Sequence, residues 1–254
     1  MELFGHTKDV IRANYFYLME RLCPSKISDA RDIPIIINNY NRLTMLKKLI
    51  GSLTSRGYTN IVILDNQSTY PPLLEWYAKC QFEVIRLPKN YGFKALWKYA
   101  PVRKRFCSDY YIYTDPDVQL SPECPADVIE RMFHILKCKR KKAFKIAPSI
   151  RITDLPDCYE HKQDAIDFES KYFMEQTEED GLTLYRAPID TTFSLYRPRI
   201  GLSRRVSLES YRMAEPYSLL HLPWYQDSAN LDEEDRYYIN SARQATMWSG
   251  KKSN

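Results

Sequence analysis

Short apolar runs alternate with helix-like segments along the first part of the chain, and this alternation restricts the fold more than any other feature. The runs are rich in β-branched or aromatic residues, as is typical of buried strands, and cover residues 33–37, 61–64, 82–87, 110–113 and 144–147. Between them, as in residues 43–53, apolar residues recur at helical spacing. Strands separated by helices pair in parallel through right-handed crossovers. The sequence therefore predicts an α/β fold with a mostly parallel sheet, helices on both faces and a C-terminal elaboration.

Polar residues follow the predicted strands where each strand ends. They are Asn38 to Asn41, Asp65 and Asn66, residues 90–92, and the pair Asp115 and Asp117. In open α/β sheets, ligands collect beyond the carboxyl ends of the strands. The candidate site is therefore expected at this edge of the sheet.

Asp115-Pro116-Asp117 is an Asp-x-Asp motif directly after a hydrophobic strand. Two carboxylates at a sheet edge can converge on Mg²⁺ or Mn²⁺, which prefer oxygen ligands and often share them with substrate phosphates. Such a metal stabilises the negative charge of a departing diphosphate. The alternative is that both aspartates are turn or cap residues.

Charge, hydropathy and cysteine content indicate the cellular location of the protein. The net charge is +5, with basic clusters at residues 103–105 and 137–142, which can attract phosphates or anionic headgroups or can simply be solvated helix ends. No apolar run in the sequence is as long as the roughly 18 residues that a membrane span needs. Its first residues also lack the pattern of a secretory signal. The six cysteines are scattered, which favours reduced thiols. We expect a cytoplasmic protein, with peripheral contact at the inner face of a membrane and no nucleic-acid partner.

In the C-terminal part, Asp190-Thr191-Thr192-Phe193 and His221-Leu222-Pro223-Trp224-Tyr225 resemble bacterial polysaccharide-type transferases. Four motifs nearer the start resemble, in this order, the nucleotide-binding half of GT-A-fold glycosyltransferases, in particular the family-2-like enzymes. They are Ile35-Ile36-Ile37-Asn38-Asn39-Tyr40-Asn41-Arg42, Ile63-Leu64-Asp65-Asn66-Gln67-Ser68-Thr69, Asn90-Tyr91-Gly92 and Tyr113-Thr114-Asp115-Pro116-Asp117-Val118. The resemblance implies three parts: an N-terminal helical extension (1–32), a nucleotide-sugar-binding half (33–148) and an acceptor-side half of the same domain (149–254).

The resemblance also implies roles for single residues on the donor side. Asn38 and Tyr40 would face the nucleoside, Asp65 or Asn66 would read the nucleobase, and Lys94 would contact the donor phosphate or ribose. Asp115 would lie near the ribose and the metal, and Asp117 would bind the metal directly. Many relatives have an aspartate where this chain has Asn66, so the nucleobase stays open. Lys94 can equally be an exposed helix lysine.

Two further candidates come from the C-terminal part. His221 would add to the metal shell, as a C-terminal histidine does in several GT-A enzymes, unless it is a core histidine. Asp190 is the candidate general base that takes the proton of the acceptor hydroxyl, unless it caps the turn before Thr191. The Glu-Asp doublet of the family is missing there.

The function implied is a metal-dependent, inverting transfer of a sugar from a nucleotide-sugar to an acceptor hydroxyl, in surface polysaccharide or glycolipid synthesis. A UDP-sugar is the first expectation for the donor, and a sugar or lipid-linked saccharide for the acceptor. Two alternatives are a nucleotidyltransferase that makes nucleotide-sugars and a non-catalytic protein that binds them. The Gly-rich loop of the former is absent after the first strand.

Overall fold

Four parallel strands form the first half of the sheet. The computed structural model describes residues 14–16, 18–140, 143–200 and 209–242. The strands are β1 (Ile35–Asn39), β2 (Ile61–Asp65), β3 (Glu83–Arg86) and β4 (Tyr111–Thr114). β1 lies between β2 and β4, and β3 pairs with β2. All residues of β1, β2 and β4 are buried, as expected for a sheet covered on both faces. The predicted α/β class is confirmed.

The helices that follow these strands lie where apolar residues recur at helical spacing. They are α1 (Thr44–Thr54), α2 (Pro71–Tyr77), α3 (Ala95–Lys98), α4 (Ala100–Phe106) and α5 (Val128–His134), which continues into a π-helical turn at Ile135–Lys139. Further along follow α6 (Lys162–Ser170) and α7 (Glu233–Ser241). Short 3-10 turns lie at Ala30–Asp32, Gly92–Lys94, Lys171–Phe173 and Leu222–Tyr225.

A proline interrupts the helical segment that follows Gly92. Tyr99 is extended, and α4 starts afresh at Ala100 with Pro101 in its first turn. Pro101 has no N–H to offer the carbonyl of Trp97, one turn earlier. The side chain of Arg103 donates to that carbonyl instead, at 3.4 Å.

The second half of the sheet is mixed. Its strands are β5 (Val118–Leu120), β6 (Lys145–Ile150), β7 (Gln176–Glu179), β8 (Leu182–Arg186), β9 (Ser194–Tyr196) and β10 (Ser210–His221). The order across the sheet is β3-β2-β1-β4-β9-β6-β10-β8-β7, with β5 paired to β10. β9 is antiparallel to both β4 and β6, whereas β10 is parallel to β6. β9 therefore joins β6, β10, β8 and β7 to the parallel half.

Alternate residues of the parallel strands point into two apolar cores, one on each face of the sheet. Ile35 and Ile37 face a core that includes α1 and α5, whereas Ile36 faces a second core with Leu96 and Tyr113. Because successive side chains of a strand point to opposite faces, a run of isoleucines without polar interruptions serves both cores. This arrangement holds the carboxyl ends of β1, β2 and β4 in fixed positions.

The described part of the N-terminal segment docks on the amino end of β4. Residues 18–22 are helical, and Glu20 accepts hydrogen bonds from Tyr110 at 2.8 Å and from Arg197 at 3.0 Å. Residues 1–13 and 17 of the predicted extension lie outside the described residues. The three-part division of the chain stays a prediction. None of the helices in the described ranges combines the length and apolar character that a membrane span needs.

Candidate functional site

The predicted polar residues meet at the carboxyl edge of the parallel strands. The β1–β2 register pairs Asn39 with Asp65, and the β1–β4 register pairs Ile37 with Thr114, so Asn38 lies beside the residue that follows β4. Parallel pairing, which the alternation predicted, is sufficient to bring Asn38, Asp65 and Asp115 to one edge.

Asp115 lies at the centre of this edge. Its carboxylate accepts a hydrogen bond from the Thr191 hydroxyl, and the Asn38 side chain also bonds it. Burial and the neighbouring charge of Asp117 raise the pKa of Asp115 to about 8, with a smaller contribution from Asp190, and the bonds from Thr191 and Asn38 oppose the rise. Two carboxylates that destabilise each other in this way gain from a cation between them.

Asp117 faces His221. β5, which starts just after Asp117, pairs antiparallel with the end of β10, and the register places His221 opposite Val118. The Nε2 atom of His221 lies 3.7 Å from Oδ2 of Asp117. The backbone adds a further tie, because the N–H of Leu222 donates to the carbonyl of Asp117 at 2.8 Å.

His221 is a buried imidazole beside the ring of Trp224, at 4.6 Å between centroids. Burial lowers the pKa of His221, the charge of Asp117 opposes this, and Arg42 adds to the lowering. The ring is therefore neutral near pH 7. Its Nδ1 atom is buried and has no hydrogen-bond partner among the residues that the structure describes.

Asp190 lies at the same edge and is exposed. β9 pairs antiparallel with β4, so the residues before β9 run beside the end of β4. The N–H of Phe193 donates to Thr114 at 3.1 Å. Two positions earlier, Thr191 bonds Asp115, and the charge of the preceding residue, Asp190, acts on Asp115. The fold thus brings the candidate base and the Asp-x-Asp motif together.

Asp65 and Asn66 are both engaged by neighbouring protein groups. Asp65 is fully buried and accepts from Arg86 at 3.2 Å and from the N–H of Ser68. The Asn66 amide donates to the carbonyl of Gly92 at 3.0 Å and accepts from the N–H of Tyr91 at 2.7 Å. Asn66 therefore fixes the 90–92 turn, and the sequence alone did not indicate this role.

The other donor-side candidates surround this edge. The Oδ1 atom of Asn38 is buried and has no partner in the described ranges, so it is free to accept from a ligand. Tyr40 is half-buried, and its hydroxyl donates to the carbonyl of Ser241 at 3.0 Å. Lys94 is half-buried in the Gly92–Lys94 turn, with Nζ 5.3 Å from the ring centroid of Phe93.

Helix α7 covers the same edge, which sequence reasoning missed. Arg42, at the end of the first motif, forms a buried ion pair with Asp235 and lies 3.9 Å from the ring centroid of Tyr238. Burial raises the pKa of Tyr238 to about 12, and the charges of Asp117 and Asp115 add to the rise while Arg42 opposes it. Tyr238 is therefore a further residue of the site. Its only signal in the sequence is a Tyr pair in an acidic helix.

The donor atoms present suit a hard divalent cation. Within residues 14–16, 18–140, 143–200 and 209–242, no three acidic, histidine or cysteine side chains lie close enough together to surround a metal ion unaided. However, Mg²⁺ and Mn²⁺ are commonly held by one or two carboxylates together with substrate phosphates. The raised pKa of Asp115 beside Asp117 and the neutral imidazole of His221 fit such a cation, and substrate oxygens would complete its coordination.

Comparisons with known proteins agree with this geometry. The family model for glycosyl transferase family 2 matches residues 35–137. A mannosyltransferase from Pyrobaculum calidifontis, solved in complex with GDP-Man and Mn²⁺, is similar with a TM-score of 0.50 and 12% identity, over 95% of this chain and 74% of that chain. A cytidylyltransferase from Leptospira borgpetersenii has 14% identity over 49% of this chain and 56% of that chain, with a TM-score of 0.34, too low to carry an argument. No curated protein matches the chain by sequence.

The family match spans β1 to the end of α5, and therefore includes the strands that end in Asn38, Asp65 and Asp115. The mannosyltransferase shares the fold of nearly the whole chain. Residues 35–137 thus match the family-2 glycosyltransferase model, and the chain as a whole has a GT-A-type fold.

Proposed function

We propose that the chain is a metal-dependent, inverting glycosyltransferase that binds a nucleotide-sugar at the carboxyl edge of β1, β2 and β4. The observation that carries the proposal is the convergence of Asp115, Asp117, His221 and Asp190 at one sheet edge. Asp117 and His221 would supply two ligands to a cation that substrate oxygens complete, with Asp115 beside them, and Asp190 is an exposed carboxylate at the same edge.

The metal site would be formed by Asp117 and His221, with Asp115 beside them. A bound Mn²⁺ or Mg²⁺ would act as a Lewis acid on the diphosphate of the donor. Asn38 would accept a hydrogen bond from the donor, because its buried Oδ1 atom needs a partner. Tyr40 and Tyr238 would border the nucleoside.

Asp190 would act as the general base. In this step the acceptor oxygen attacks the anomeric carbon of the donor, and a new C–O bond forms while the bond from that carbon to the diphosphate oxygen breaks. The bonding electron pair leaves with the diphosphate, and the acceptor proton passes to the Asp190 carboxylate. Attack from the face opposite the leaving group inverts the anomeric centre.

The donor is a nucleotide-sugar, and its nucleobase is the least constrained part of the proposal. The mannosyltransferase of similar fold holds GDP-Man. A UDP-sugar is our first expectation for this chain. Because the Asn66 amide bonds Tyr91 and Gly92 and the buried Asp65 carboxylate bonds Arg86 and Ser68, we infer that backbone groups at this edge read the base. Lys94 remains a candidate for a phosphate or ribose contact.

We propose a sugar or lipid-linked saccharide as acceptor, in surface polysaccharide or glycolipid synthesis. Peripheral contact with the inner face of a membrane rests on the basic segment 137–142, of which residues 141 and 142 lie outside the described residues. In its described part, Lys139 pairs with Asp180 at 2.9 Å and Arg140 with Glu179 at 3.0 Å. Of the described cations, the exposed Lys137 is the one best able to meet a headgroup.

The proposal is tested by thermal unfolding with a panel of nucleotide-sugars, with and without Mn²⁺. UDP-glucose, UDP-N-acetylglucosamine and GDP-mannose cover two nucleobases. One of them should raise Tm in Mn²⁺ but not in EDTA, because a ligand that binds the folded state stabilises it by mass action. If UDP or GDP without a sugar raises Tm as much as the corresponding nucleotide-sugar, the sugar is not recognised. A shift as large in EDTA as in Mn²⁺ would contradict the metal site.

A further inference from the structure

Three consecutive backbone carbonyls precede Asp190, and a buried side chain holds each of them. The carbonyl of residue 187 accepts from the hydroxyl of Ser210 at 2.6 Å. The carbonyl of residue 188 accepts from two nitrogens of Arg212, at 2.9 and 3.1 Å, and that of residue 189 accepts from Nζ of Lys145. We call Ser210, Arg212 and Lys145 the carbonyl clamp.

The two cations of the clamp are unusual because both are buried. Arg212 is 6% exposed and Lys145 is 7% exposed. A buried cation is costly unless it is paired, and Arg212 has its counterion in Glu169, at 2.6 Å. Glu169 is itself almost fully buried on α6, so the pair is shielded from water.

Lys145 has a different electrostatic environment. Burial lowers its pKa to about 8, whereas the charge of Asp190 raises it and Arg212 lowers it. Lys145 therefore interacts electrostatically with the Asp190 carboxylate, while its Nζ atom donates a hydrogen bond to the backbone carbonyl of the preceding residue, 189. A lysine that served only to fill space in the core would be replaced by an apolar residue at lower cost.

We propose that Lys145 and Arg212, supported by Ser210, are positioning residues that fix the backbone before Asp190 and so direct its carboxylate toward the donor site. The sheet provides the rigidity, because all three clamp residues lie on β6 and β10, which pair in parallel. On the other side of Asp190, Thr191 is held by its bond to Asp115. The carboxylate is exposed, but the backbone on both sides of it is fixed.

This inference rests on the proposed role of Asp190, so the test is a double-mutant cycle with that residue. The variants are Lys145→Met, Asp190→Asn and the double variant. The measured quantity is the release of UDP from UDP-glucose and of GDP from GDP-mannose in Mn²⁺, with water in place of the acceptor. Hydrolysis can be measured without knowing the natural acceptor, and under the proposal Asp190 would deprotonate the water as it would the acceptor hydroxyl.

Lys145→Met should lower kcat by at least about tenfold with little change in KM for the donor, since a 1 Å displacement of a catalytic group can cost about 10²-fold. In the Asp190→Asn background the same substitution should have no further effect on kcat, because a residue that acts through Asp190 has nothing left to position. A general structural role would lower kcat by the same factor in both backgrounds.

Two further variants keep the test decisive. Ser210→Ala removes one clamp bond and keeps both cations, so it should fold even if Lys145→Met does not. We expect it to lower kcat about two- to threefold, again only where Asp190 is present. The matched control is Arg197→Met, since Arg197 is also a buried cation that binds carbonyls, those of Ala143 and Leu136, away from Asp190. Its effect should be the same in both backgrounds.

Near-normal release by Asp190→Asn would overturn the base assignment, and the clamp with it. If Asp190→Asn loses most of its activity, two results would overturn the clamp and leave the base assignment in place. One is an unchanged kcat in Lys145→Met and Ser210→Ala. The other is a further loss of kcat, by the same factor, when Lys145→Met is added to Asp190→Asn.

Discussion

Asp115 is the residue whose chemistry depends most on its neighbours. Its pKa of about 8 lies far above the usual value near 4 of a free aspartate, because of burial and the charge of Asp117. The folded state therefore binds more protons than the unfolded state between these two pH values. In the absence of metal, this group makes the free energy of unfolding fall as pH rises through that range.

Asp117→Asn should weaken this pH dependence, because it removes the neighbouring negative charge that contributes to the raised pKa of Asp115. Urea unfolding in EDTA between pH 5 and 8 measures the effect for wild type and variant. We expect the wild type to lose more stability across the range than the variant does. Addition of Mn²⁺ should reduce the loss in the wild type alone. Parallel curves for both proteins would show that the two carboxylates do not interact.

At the scale of elements, α7 stabilises the amino end of α1. Leu43 is the N-cap residue of α1, and its side chain makes no capping hydrogen bond. Glu234 of α7, which is distant in the sequence, caps the helix instead. Its carboxylate accepts from the N–H of Leu43 at 3.0 Å, and from the N–H and hydroxyl of Thr44 at 2.9 and 3.0 Å. A carboxylate at a helix amino terminus also complements the helix dipole.

Glu234→Ala should therefore lower the free energy of unfolding by about 1–2 kcal/mol, since it removes the cap from the partly buried donors of Leu43 and Thr44. Glu234→Gln retains one acceptor oxygen and should cost less. The matched control is Glu233→Ala, because Glu233 is the exposed neighbour in the same helical turn and its loss should cost at most about 0.5 kcal/mol. Chemical denaturation compares the three variants. Equal values for positions 233 and 234 would mean that the cap contributes nothing.

The parts of the fold that could be predicted from the sequence are those specified by local patterns. The isoleucines of β1 and the helical spacing of α1 are contained in short segments, and parallel pairing then brings Asn38, Asp65 and Asp115 to one edge. β9 could not be predicted in this way, because it has only three residues and is defined by its pairing with β4 and β6. The same holds for β10, whose pairing with β6 shifts register between Met213 and Ser218.

At the scale of the whole molecule, the site is completed by contacts between distant parts of the sequence. The ion pair from Arg42 to Asp235 spans 193 positions, and the bond from Thr191 to Asp115 spans 76. No periodicity encodes such contacts. The proposed role of Lys145, which lies in the apolar run at residues 144–147, likewise depends on the distant residues 188–190.

The central claim is that this edge of the sheet transfers a sugar with the help of a divalent cation bound by Asp117. The most direct measurement is nucleotide release from UDP-glucose and GDP-mannose, in Mn²⁺ and in EDTA, by wild type and by Asp117→Asn. We expect release by the wild type in Mn²⁺ alone, and a loss of at least about 10²-fold in the variant, comparable to that from removing another group that stabilises the developing charge. Full release in EDTA, or by Asp117→Asn with an unchanged melting curve, would contradict the account.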